Sequence, residues 1–104
     1  MYATNRRYEG IDQSRMGELT RKVTDGLIPR LSRLPGFRGY FLIEAGEGVI
    51  RSTSLFDTGS QAEDSTRVAA EWMQEEKLET LVPNPPKVIT RKVLAHETTA
   101  SALV

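Results

Sequence analysis

A chain of 104 residues with fourteen basic and fourteen acidic side chains has no formal net charge, which argues against nucleic-acid binding, because that affinity comes from neutralising phosphates. It contains no cysteine, so disulfides, thiol catalysis and thiolate metal sites are excluded. No apolar run approaches the ~20 residues of a bilayer span and the N-terminus lacks a signal peptide's apolar core, so the sequence predicts a cytoplasmic protein without a membrane partner.

Residues 2–9 alternate bulky and polar side chains and read as a first strand. Asp12 or Ser14 can cap the helix that follows. From there Met16, Leu19, Val23, Leu27, Leu31 and Leu34 recur at three- and four-residue steps, which predicts one amphipathic helix ending at Pro35-Gly36. Pro29 lies inside it and predicts a kink, since proline removes a hydrogen bond and clashes with the preceding turn. Residues 37–44 and 48–57 read as two strands joined by a tight hairpin at Ala45-Gly46-Glu47-Gly48. Ser60 with Glu63 matches a capping box for a second helix. Its predicted buried stripe is Ala62, Thr66, Ala69 and Met73, with Trp72 on the margin. Pro83-Asn84-Pro85-Pro86 forms an extended connector to a fourth strand over 88–97, and 98–104 reads as a flexible tail.

The order β-α-β-β-α-β in one domain over 1–97 predicts an α+β, ferredoxin-like fold, a four-stranded antiparallel sheet with both helices on one face. The second strand is apolar on two sides: Phe37, Phe41 and Ile43 are expected to point one way, Tyr40 and Leu42 the other. Helices cover only one face, so the other calls for a second copy of the chain, and a homodimer is expected. A loop or the tail folded over that face is the alternative.

Several of these residues resemble one family. They are the Tyr2-Ala3-Thr4 strand ending Arg6-Arg7-Tyr8, the Leu34-Pro35-Gly36-Phe37 entry to the second strand, Tyr40, and Leu55-Phe56-Asp57 before a capped helix. Over about residues 2–97 they resemble the antibiotic-biosynthesis-monooxygenase-like (ABM) group of dimeric α/β-barrel proteins. That resemblance implies a homodimer with a ligand cavity between each sheet and its helices. It also implies activities ranging from cofactor-independent oxygenation of aromatic substrates to haem cleavage, with many members unassigned. Haem cleavage in such members uses a first-strand Asn, a Trp and a histidine about ten residues after it. Asn5 and Trp72 match the first two, but Val82 stands where the histidine would be.

His96 is the only histidine, the side-chain type whose ordinary pKa lies nearest neutrality. As a base it would take a phenolic proton and leave an anion able to react with O₂; otherwise it is a strand-end residue near the terminus. Asn5 is the second candidate catalytic residue, able to orient a carbonyl through its amide, or else a plain strand position. Tyr40 and Trp72 are candidate ligand contacts, through a hydroxyl and a stacking face, or else packing residues. One histidine and no cysteine predict no metal, and no cofactor motif is present. Residues 38–43 partly mimic the aromatic octapeptide of RNA-recognition motifs, yet they fall on the second strand and not the third. Two readings follow: a cofactor-independent monooxygenase acting on a small aromatic or quinone-like substrate, or a non-catalytic dimeric module that binds a small hydrophobic or aromatic ligand.

Overall fold

Alternation along the first strand decides which side of the sheet the helices take. In a computed structural model that describes residues 1–97, β1 (Tyr2–Tyr8) buries Thr4, Arg6 and Tyr8 on one face and leaves Asn5 exposed on the other. The helices lie over the first face. The remaining elements are α1 (Met16–Lys22), α2 (Ile28–Ser32), β2 (Phe37–Gly46), β3 (Val49–Phe56), α3 (Gly59–Glu75) and β4 (Lys87–Lys92). All strand pairs are antiparallel and the sheet order is β2-β3-β1-β4. This is the ferredoxin-like arrangement that the element order predicts.

The first helix is helical throughout 16–32, but not uniformly so. A short 3-10 turn capped by the Asp12 side chain leads into α1, and a π-helical turn over Val23–Leu27 separates α1 from α2. The π turn sits immediately before Pro29, where Ile28 N–H donates to Val23 O, five residues back. Proline supplies no N–H to the preceding turn, and a wider turn absorbs that defect. The disturbance expected at Pro29 is therefore realised one turn earlier.

Three local expectations are corrected by packing. The second helix is capped by Thr58 with Gln61, a capping box displaced two residues from Ser60 and Glu63. Phe37 faces the helices, not the same side as Phe41, because a bulge between Phe37 and Gly39 resets the alternation. There it meets the Phe56 ring edge-on at 5.7 Å. Trp72 is central to α3's buried stripe, with Ala62, Ser65 and Ala69, and Thr66 and Met73 flank it.

The hairpin follows its sequence: Gly46, Glu47 and Gly48 all have positive φ, so β2 and β3 are joined by a tight turn. Lys87–Lys92 is shorter than the fourth strand expected over 88–97, and His96 lies beyond its end. The tail expected over 98–104 lies outside the described residues. No helix among the described residues is long and apolar enough to cross a membrane.

Candidate functional site

The space between sheet and α3 is built in layers set by the strand register. Because Arg6 pairs with Ser52 on β3, and Thr4 pairs with Ser54, two serines share the inner face with an arginine. Arg6 is 2% exposed. Its Nε donates to Thr66 Oγ1 at 3.1 Å, Nη1 to Ser54 Oγ at 3.0 Å and Nη2 to Ser65 Oγ at 2.6 Å. A longer contact of 3.5 Å runs from Nη1 to Ser52 Oγ. Neutral hydroxyls thus surround a buried guanidinium, and no carboxylate pairs with it among the described residues. Hydroxyl dipoles satisfy its N–H groups without cancelling its charge. Burial lowers the Arg6 pKa, and the neighbouring Tyr8 and Tyr40 oppose that shift.

The next layer is an apolar cavity. Tyr8 and Ile50 reach it from the two central strands, Tyr40 and Leu42 from β2. Leu19, Val23 and Leu27 close it from the first helix, and Trp72, Met73 and Val82 from α3 and the connector. Its volume is about 20 Å³, room for about one water. Trp72 Nε1 is buried without an acceptor, and it lies against Gly26 of the π turn, where an added Cβ would be 2.5 Å from it. Burial raises the Tyr8 hydroxyl pKa and pushes that of Tyr40 up to about 12, with Ser52 pulling Tyr40 the other way. Both phenols stay protonated near neutrality. The polar side chains at this cavity are therefore two neutral tyrosines near a buried cation, and no carboxylate lines it.

A surface groove of about 350 Å³ runs along Leu78, Glu79 and the Pro83–Pro86 connector. It shares Met73 and Val82 with the inner cavity, so the two spaces adjoin at those side chains. Met73 is flexible and only partly buried, a side chain suited to yielding at such a junction.

The four side chains singled out in the sequence fall into two groups. Tyr40 and Trp72 come together at the cavity. Asn5 lies on the opposite face of the sheet, where its Oδ1 accepts from Thr53 Oγ1 at 2.7 Å. His96 is exposed beyond β4, so neither joins the cavity pair. Sequence reasoning missed Arg6 and Tyr8. The available signal was Ser52 and Ser54, which alternate with the apolar Ile50 and Phe56 and so had to face the core with a polar partner. Among the described residues no cluster of three or more potential ligands could hold a metal ion.

The outer sheet face carries two kinds of side chain. Phe41, Ile43 and Ile89 are 55%, 49% and 51% exposed. Beside them Lys87, Arg7 and Arg51 stand in one row across β4, β1 and β3.

No protein-family model matches the chain, and no curated protein matches it. Solved structures do. A protein of unknown function from Nitrosomonas europaea superposes with a TM-score of 0.73 at 19% identity, over 95% of this chain and 94% of the other. A monooxygenase from Streptomyces coelicolor, solved with nanaomycin D, gives 0.70 at 13% identity over 95% and 92%. A dimeric ferredoxin-like protein from an uncultured marine organism gives 0.70 at 11% identity over 94% and 98%. Chains described as antibiotic biosynthesis monooxygenases are among the neighbours, and at these identities the likeness is one of fold: the chain is folded as the ABM-like proteins are.

Proposed function

We propose that this chain, folded as ABM-like proteins are, works as a homodimer that holds a small aromatic or quinone-like ligand between its sheet and helices. The observation that carries this reading is the apolar cavity between sheet and helices, which brings Tyr8, Tyr40 and the Trp72 ring together. The closed cavity suits a water. An aromatic ligand needs a few hundred cubic ångströms, on the order of 300 Å³ or more. That space is gained when Met73 and Val82 give way to the 350 Å³ groove outside them.

The dimer part of the proposal rests on Phe41, Ile43 and Ile89, which leave apolar area on the face turned away from the helices. A neighbour of the same fold is described as dimeric.

Cofactor-independent oxygenation is a second reading, favoured by the monooxygenase among the fold neighbours. Tyr8 and Tyr40 would donate to the oxygen of an electron-rich aromatic anion, and O₂ would be the co-substrate. With the cavity tyrosines protonated, the base in this reading is His96 acting from outside the cavity, or the substrate enters already ionised. The two readings separate in one experiment: incubate the protein with dihydroxynaphthalene and anthrone, with and without O₂. Binding without O₂-dependent turnover supports the binding module. Turnover lost in His96→Ala supports the oxygenase with His96 as base, and absence of binding overturns both.

A further inference from the structure

We infer that the cavity between sheet and helices selects an anionic ligand, a carboxylate or ionised enol on an aromatic frame, and that Arg6 sets this preference. The inference rests on the proposal that the cavity takes a small aromatic ligand, and it adds the charge of that ligand. Two independent features support it.

Arg6 is the first. A guanidinium at 2% exposure with only hydroxyl partners keeps its field, because Ser54, Ser65 and Thr66 carry no charge to offset it. Isolated buried charges are strongly unfavourable, and a fold that retains one is stabilised by any anion brought close to it. Tyr8 shares the inner face of β1 with Arg6 two residues away, and Tyr40 pairs with Ser54, to which Arg6 donates; both tyrosines line the cavity and feel the Arg6 charge. Neither ionises near neutrality, so neither supplies the missing anion.

The second is the cavity's polar lining, which is made of groups able to donate. Trp72 adds an aromatic face, its Nε1 lying against Gly26. Tyr8 and Tyr40 offer hydroxyl hydrogens, and the rest of the wall is aliphatic or thioether. An ammonium or guanidinium ligand would meet no carboxylate there. A ligand oxygen bearing negative charge would meet up to two donors, the Tyr8 and Tyr40 hydroxyls, and the nearby Arg6 field. In a protein interior the field of one unit charge favours a nearby anion over its neutral isostere by on the order of ten- to a hundredfold. Arg6 does not line the cavity, so it acts through its field and through Tyr8 and Tyr40 as a positioning and specificity residue.

The test compares matched probes on the full chain at neutral pH: naphthoate, which is anionic, and naphthamide, its neutral counterpart of nearly equal shape. Calorimetry or equilibrium dialysis gives the affinity ratio. The expected result is naphthoate binding at least tenfold tighter in the wild type, with Arg6→Gln bringing the ratio close to one and Arg6→Lys retaining most of it. A merely structural role for Arg6 would weaken both probes alike and leave the ratio unchanged, which overturns the inference. A wild-type ratio near one, with both probes bound, overturns it without any variant, should Arg6→Gln fail to fold. Binding of neither probe removes the ligand-binding proposal itself, and this inference with it.

Discussion

Gly26 and Trp72 are fitted to each other across the contact between the first helix and α3. A Cβ on Gly26 would lie 2.5 Å from Trp72 Nε1 and 3.2 Å from its Cε2. The π turn over Val23–Leu27 thus brings bare backbone against the indole, and the indole in turn walls the cavity.

That fit reverses an ordinary expectation. Gly→Ala inside a helix normally stabilises by roughly 1 kcal/mol. Here overpacking dominates, and Gly26→Ala should destabilise by about 1–3 kcal/mol. Urea unfolding measures it. A midpoint equal to or above the wild type would show that Trp72 has room to move.

Arg6 gives a second stability prediction. Truncation leaves a hole between β1, β3 and α3 and removes the donor from Ser54, Ser65 and Thr66. Arg6→Ala should cost about 2–4 kcal/mol. Arg6→Met fills most of the volume and removes the buried charge, so it should cost less than Arg6→Ala. Chemical denaturation of the two variants side by side checks the order, and equal losses would mean that volume matters little here.

Tyr40 predicts how stability responds to alkali. Its folded pKa of about 12 lies above its ordinary value of 10.0 because the hydroxyl is buried. The folded state holds that proton more tightly than the unfolded chain does. The contribution is therefore complete below about pH 10 and is lost as pH rises through about 12. Tyr8 is raised by burial as well and acts in the same direction. Tyr40→Phe should flatten the alkaline fall in urea midpoint, and an unchanged slope would place the effect elsewhere.

Much of the fold was legible because it rests on periodicity. The three- and four-residue spacing of Leu19, Val23, Leu27 and Leu31 put them in the core, where all four are buried. The glycines around Glu47 announced the hairpin. What was not legible depended on contacts distant in sequence. The bulge after Phe37 turned that ring toward Phe56, which no alternation count along β2 foretells. Trp72 moved from the margin to the centre because Gly26, on another helix, leaves room for it. An arginine is seldom buried without a charged partner, so nothing along β1 alone marks Arg6 as a core residue. Only the cross-strand register, with Ser52 and Ser54 beside it, shows how the fold accommodates it. Of the four side chains nominated from sequence, Tyr40 and Trp72 meet across the cavity because a strand's inner face and a helix stripe both point into the core. Asn5 and His96 lie elsewhere, one on the outer face and one beyond β4.

The outer face bears on assembly. Phe41→Glu places a charge on β2 on the same outer face as the exposed Ile43. In the homodimer proposed above, this substitution should lower the molar mass in light scattering from two chains to one. It should also remove any concentration dependence of the melting temperature. A wild type that already runs as a monomer would leave that face to some other cover.

The most direct measurement uses Trp72, the only tryptophan in the chain. Its emission reports on the cavity wall alone. On titration with naphthoate or dihydroxynaphthalene, ligand binding between sheet and helices predicts a saturable change in that emission, weakened in Tyr40→Phe. An emission that stays constant while calorimetry records binding would place the ligand away from Trp72 and contradict the site proposed here.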